Sequence, residues 1–171
     1  MSGRIGSGTR GIAVRVQVPL LDRLIDDAPD QLRDPPLSAS ESMVKLRNSV
    51  RRDLEALLNS RRRWRSWPSS MPELATSPIG FGIPDFGAAA FNDRRQREDL
   101  RVEIEETIRR FEPRFLSIKV ALGEAESGLE STLRLRIEAV LHAEPAPEAV
   151  TFDTLLDPSN DQVIVRSLDG P

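Results

Sequence analysis

A glutamate and an arginine flank a proline at Glu112-Pro113-Arg114, and Glu105, Glu106 and Arg109 precede them by less than two helical turns. Residue types like these support two kinds of chemistry. Two carboxylates across a cleft, roughly 5–9.5 Å apart depending on mechanism, hydrolyse glycosidic bonds. A carboxylate and a guanidinium held rigidly side by side instead recognise a partner, because the planar arginine fork makes paired hydrogen bonds to carboxylates or carbonyls. The first option is poorly served. Glu105 and Glu112 could share a helix face, but about 10 Å of rise separates them at 1.5 Å per residue, and no tyrosine is present to stack on a sugar. The second option has a local alternative, in which Arg114 bonds carbonyls at a helix end and Glu112 pairs with it, with Arg109 or with Arg110.

The elements that must position this triplet are readable on both sides. Leu100, Ile104, Ile108 and Phe111 recur at helical spacing, so an amphipathic helix is expected over about 93–111, capped by Asn92 or Asp93. Pro113 ends it, having no N–H to donate, and biases Glu112 toward an extended conformation. The period then changes from 3.6 to 2. Leu116, Ile118, Val120 and Leu122 alternate with Ser117, Lys119 and Ala121, the pattern of a half-buried strand. The charges therefore sit at a sharp helix-to-strand corner.

Other chemistries find little support. His142 is the single histidine and there is no cysteine, so thiolate metal sites and disulfides are excluded and no metal or cofactor is expected. Gly80 and Gly82 are not followed by Lys-Ser/Thr, so no phosphate-binding loop is expected, and no Ser/His nucleophile pair can be assembled. Between Lys45 and Trp67 eight basic residues stand against two acids, and the Arg61–Trp67 stretch holds both tryptophans. One such patch on a chain of net charge −3 is poor ground for a nucleic-acid binder. It reads better as a helix end whose arginines complement the negative dipole while the tryptophans pack on the core. No apolar run nears the roughly 18–20 residues that span a bilayer. Met1 to Arg10 is Gly/Ser/Arg-rich with no apolar stretch, so no secretory signal is expected. The expectation is a soluble cytoplasmic protein with no membrane insertion and no small-molecule substrate.

The rest of the chain supplies a scaffold. Residues 1–18 read as a flexible arm, 19–40 as a docking segment and proline-rich linker, and 41–168 as one α+β domain. Pro19 to Asp27 holds a short apolar run suited to docking. A helix from about Glu41 to Asn59 places Leu46, Val50, Leu54, Leu57 and Leu58 on one stripe, with Ser38 or Ser40 as its cap. Residues 68–90 form a long Pro/Gly/Ser-rich connection in which Ile79, Phe81, Ile83 and Phe86 should pin the loop to the core. Strands follow at about 116–122, 133–141, 150–156 and 163–165, the last two joined at Asp157-Pro158-Ser159-Asn160-Asp161. The expected architecture is α+β: two main helices packed on a small three- to four-stranded, mostly antiparallel sheet, with an extended N-terminal arm.

Several stretches in this order resemble one family. They are Pro19-Leu20-Leu21-Asp22-Arg23-Leu24, the helix segment from Ser49 to Arg62, Gly80-Phe81-Gly82-Ile83-Pro84-Asp85-Phe86, Glu112-Pro113-Arg114 and the closing Phe152–Val165 hairpin. Together they cover about residues 18–166 and are similar to the TssE baseplate subunits of type VI secretion systems, relatives of the phage T4 baseplate-wedge protein often labelled lysozyme-like. Gly80-Phe81 stands where the family commonly has an Asn-Tyr type pair. The resemblance implies a non-enzymatic structural role: a wedge component that links neighbouring wedge subunits to the contractile sheath and seeds sheath assembly. It implies that Glu112, Pro113 and Arg114 contact the helical core bundle of those subunits. A cell-wall glycosidase and a generic protein-interaction module are the alternatives.

A sheath-seeding subunit should leave a sheet edge open for strand addition. The final hairpin is the expected edge, with Phe152, Val163, Ile164 and Val165 as sheath-contact candidates. A proline at Ile164 is expected to remove an edge donor, and loss of Glu112 or Arg114 to weaken partner binding while sparing the fold.

Overall fold

Apolar periodicity decides the core, and the fold follows from it. A computed structural model describes residues 19–25, 29–30, 37–64, 66–85, 93–123, 133–144, 146–157 and 162–168. The arm at 1–18, Pro35-Pro36, Phe86, Asn92, residues 124–132 and residues 158–161 lie outside the described residues.

Two long helices and a four-stranded sheet make up most of the described residues. A five-residue helix α1, Leu20–Leu24, comes first, with none of its residues buried. Helix α2 is Ala39–Asn59 and starts at Ser38, whose Oγ accepts from the Glu41 N–H while the Glu41 carboxylate accepts from the Ser38 N–H. This reciprocal box satisfies two otherwise orphaned donors, so Ser38 and not Ser40 is the cap. Its stripe is as expected: Leu46, Val50, Leu54, Leu57 and Leu58 are all buried. Helix α3, Arg94–Phe111, is capped by the Asp93 carboxylate and buries Leu100, Ile104 and Ile108.

Strands β3 (Phe115–Leu122), β4 (Leu133–Leu141), β5 (Glu148–Asp157) and β6 (Gln162–Ser167) run in that order across an entirely antiparallel sheet. Leu133, Leu135, Ile137, Ala139 and Leu141 all face the core, a strict period of two. Phe152 lies opposite Ile137 in the centre and is fully buried. Helix α3 lies along β3 and α2 along β6. One expected inward residue is displaced. A register shift between Phe115 and Ser117 leaves Leu116 without a partner, and it projects 56% exposed while Phe115 packs against the core.

A second, two-stranded parallel sheet was not legible in the pattern. It pairs β1, Arg61–Arg62, with β2, Ile83–Pro84. Gly82 makes it possible. Its φ is +100°, and a Cβ there would fall 2.4 Å from the Ser60 carbonyl oxygen. The long connection is thereby anchored at buried Ile83 and at Phe81, which meets the Phe111 ring edge-on at 5.3 Å, whereas Ile79 is exposed.

Candidate functional site

The corner forms as its sequence dictates. The Glu112 N–H still donates to the Ile108 carbonyl at 2.8 Å, closing α3, while its ψ of 78° has already left the helical region ahead of Pro113. The Phe115 N–H then returns to the Glu112 carbonyl at 3.3 Å, and β3 begins. This tight turn aims Glu112 and Arg114 inward at the same point on α2.

There they meet a cluster. Arg114 donates through Nε to Glu112 Oε2 at 2.9 Å and through Nη2 to both Glu112 oxygens at 2.8 and 2.7 Å. The same Nη2 donates to Asp53 Oδ2 at 2.8 Å, and Nη1 donates to Ser49 Oγ at 3.2 Å. Asp53 Oδ1 in turn accepts from Arg52 Nε at 3.0 Å. Arg52 reaches on to α1, donating to Asp22 Oδ1 at 2.6 Å and to Oδ2 at 3.4 Å. Five charged side chains thus form one line, Glu112–Arg114–Asp53–Arg52–Asp22, with buried Ser49 accepting from both arginines. It joins three segments far apart in sequence.

The two ends differ electrostatically. Burial pushes the Glu112 carboxyl above the usual carboxylate range, although Arg114 pulls it down; nearby Asp53 adds to the rise. At the other end the Arg52 hydrogen bonds hold Asp22 below its usual range. Placed in this line, Glu112 and Arg114 act first as a clasp within the fold, so their loss is expected to cost stability, contrary to the sparing expected above. The corner's outward parts are exposed Pro113 and Leu116.

A family model described as baseplate wedge protein gp25 matches residues 44–146. The chain belongs to that family. The match covers more than half of the 171 residues and runs from α2 through β4, so it contains Ser49, Arg52, Asp53 and the whole corner. Asp22, β5 and β6 fall outside it. No curated protein matches the chain.

The other residues singled out from this wedge-family sequence fall in different places. Phe152 cannot be an edge residue, because β5 is paired on both sides and its ring fills the core; this corrects the expectation that both strands of the final hairpin offer an edge. Among the described residues, β6 and β3 are the edges of the four-stranded sheet. Val163 and Val165 lie on edge strand β6 with buried side chains, and Ile164 between them is 43% exposed. Glu105 is occupied at the opposite edge: it accepts from Arg101, Arg109 and the Val120 N–H. Burial would raise its carboxyl, yet these donors together hold it below the usual range.

Within the basic stretch, Arg61 donates to the Leu58 carbonyl at the end of α2, as expected of a helix end. Arg62 is instead buried, donating to Glu103 at 2.6 Å with its guanidinium 5.5 Å from the Trp67 ring centre. Trp64 stacks on Trp67 and remains half exposed, and Trp67 is only partly buried, so neither tryptophan joins the core as expected. Among the described residues no group of three His, Cys, Asp or Glu side chains could hold a metal, and no helix is long and apolar enough to cross a membrane.

Sequence reasoning located the corner but not its partners. Ser49, Arg52 and Asp53 are spaced i, i+3, i+4, so they share one face of α2. A polar triad beside Val50 and Leu54 in a helix otherwise read for its apolar stripe was the available signal. Asp22 had none beyond its place in the resembling segment.

Proposed function

We propose that this chain is the cytoplasmic wedge subunit of a type VI secretion baseplate, a structural adaptor that joins neighbouring wedge subunits to the contractile sheath and seeds sheath assembly. The observation that carries the proposal is the baseplate-wedge family match over the two long helices and the corner. Support comes from the shape of that region. The corner clasp ties the α3–β3 turn to α2, with α1 tethered to the same helix, and Pro113 and Leu116 project from the corner as an uncharged tip. A preorganised tip loses little freedom on docking, which favours assembly contacts.

The role is non-enzymatic. Glu105 and Glu112, the carboxylates considered for glycosidase chemistry, are each bound by arginines, and Glu112 is buried. A general acid needs reach to a leaving oxygen, and neither group is presented that way.

The test is reconstitution. Wedge subunits and sheath protein from the same gene cluster, co-expressed with the chain, should form a complex from which sheaths grow. Omitting the chain should leave wedges without sheaths. Normal sheath growth without it would refute the adaptor role, and release of fragments from peptidoglycan by the purified chain would replace it with an enzyme.

A further inference from the structure

Both tryptophans of the chain sit in one short stretch that neither the charged line nor the corner uses. Layer rests on layer there. Arg62 Nη2 donates to Glu103 at 2.6 Å, with the arginine side chain only 4% exposed. The Arg62 guanidinium lies 5.5 Å from the centre of the Trp67 ring, within cation–π reach. Trp67 in turn carries Trp64, at a centroid distance of 6.4 Å and an interplanar angle of 25°, as a stacked pair. Exposure rises outward through these layers: Arg62 is buried, Trp67 partly buried and Trp64 50% exposed. A buried ion pair thus anchors an aromatic platform that opens to solvent at Trp64. Beyond it the chain turns back, the Met71 N–H donating to the Pro68 carbonyl at 2.9 Å. Pro68 and Met71 are both exposed, so apolar surface continues along the chain from the stack.

The charges beside the platform select its occupant. Arg61 is held by the Leu58 carbonyl and Arg62 by Glu103. Exposed Arg63, next to Trp64 in the chain, has no intramolecular partner among the described residues. One free guanidinium suits one carboxylate, which its planar fork grips through two hydrogen bonds. A nucleic-acid strand needs more, because its affinity comes from a row of cations laid along successive phosphates. The net charge of −3 also opposes such a polyanion. The open indole face adds a second requirement. Proline rings held in an extended polyproline conformation pack well on exposed aromatic surfaces, since that conformation is already formed before binding.

We infer that the Trp64–Trp67 stack, together with Arg63, docks an acidic, proline-bearing extended segment of a protein partner. A proline of that segment packs on Trp64, and a carboxylate near it pairs with Arg63. Trp67 is pinned from beneath by Arg62 and Glu103, so the platform loses little side-chain freedom when the segment arrives. That the partner is a neighbouring wedge subunit rests on the adaptor reading; the docking surface itself does not.

The experiment labels the full chain with fluorotryptophan. Fluorine NMR then gives two resonances, both from this stack, and Trp64→Ala assigns them. The first probe is a short peptide of alternating glutamate and proline, compared with its lysine–proline counterpart and with oligothymidylate. The acidic peptide should shift the Trp64 resonance and the basic one should not. Arg63→Glu, checked by thermal melt, should invert that preference, which a merely structural role for Arg63 would not do. Equal shifts from both peptides, no shift up to millimolar concentration, or a stronger response to oligothymidylate would each overturn the assignment. The second probe is the set of wedge subunits from the same gene cluster. Their binding should move the Trp64 resonance, and Trp64→Ala should weaken it about thirtyfold, the loss expected of a tryptophan hot spot. Wedge binding with both resonances unmoved and Trp64→Ala unimpaired would overturn this docking site while leaving the adaptor reading intact. If wild type binds no wedge subunit, the adaptor reading fails and the peptide comparison alone upholds or overturns the surface.

Discussion

The two ends of the charged line across α2 use the same chemistry in different surroundings. At the corner, Arg114 grips Glu112 with both side chains largely covered, at 22% and 7% exposure. At α1, Arg52 grips Asp22 through an equally short bond, but the two are more open, at 39% and 16% exposure. Distance does not distinguish them; burial does. Removing one member of a buried pair leaves a charge with neither water nor partner, whereas an exposed pair exchanges its partner for water at little cost. The corner end is therefore part of the fold, and the α1 end is a tether on a helix that buries none of its own residues.

The largest effect that would sharpen this contrast is at Arg114. Arg114→Ala should destabilise the chain by about 3–5 kcal/mol, because Glu112 is left buried and Asp53 loses a partner. For a chain of this size that lowers Tm by about 10 °C, measurable by calorimetry. The double variant Glu112→Gln/Arg114→Met should cost less than the sum of its single changes, since the charges are removed together. Strict additivity in that cycle would mean the two side chains do not act as a pair.

The next effect is in pH dependence, where the two ends have opposite signs. Glu112 has a raised carboxyl in the folded chain, so the folded state takes up that proton before the unfolded state does. Its contribution to stability therefore declines as pH rises from the unfolded value of about 4.3 through the higher folded value. Asp22 is lowered. Its contribution is complete above the unfolded value of about 3.9 and disappears as pH falls through the lower folded one. Glu112→Gln should flatten the first slope and Asp22→Asn the second, read from denaturant midpoints across pH 2–7. A Glu112→Gln variant with an unaltered slope between pH 4 and 6 would contradict the burial argument.

The smallest effect is at the tether. Asp22→Ala should change global stability by about 0.2–1 kcal/mol. Yet it should speed proteolysis near Leu24 and Ile25, because no residue of α1 is itself buried. A loss as large as that of Arg114→Ala would erase the distinction between clasp and tether.

Much of this was legible beforehand, for identifiable reasons. The two long helices, the strand periods and the helix-to-strand corner are set by residues within a few positions of one another, and so are the Ser38 and Asp93 caps. Local sterics and alternating burial decide such features, and a linear reading captures them. Leu116 escaped it because a bulge, produced by pairing with β4, inverted its side. Phe152 was misplaced for a related reason: alternation tells which face a residue takes but not which strands flank it.

By itself, then, the sequence determined the elements, their inward faces and the site of the Glu112-Pro113-Arg114 turn, since φ restriction, hydrophobic period and capping all act over one or two turns of chain. Tertiary structure alone decided that Arg114 would find Asp53, 61 residues away. It also decided that Asp22 would join the same line, that β6 and β3 would be the edges, and that the Asn59 amide at the end of α2 would bond both main-chain groups of Val163 on β6. Those outcomes depend on how two helices are laid across a sheet. A salt bridge or an edge cap leaves no period in the sequence, because one residue placed at the right height is enough to make it.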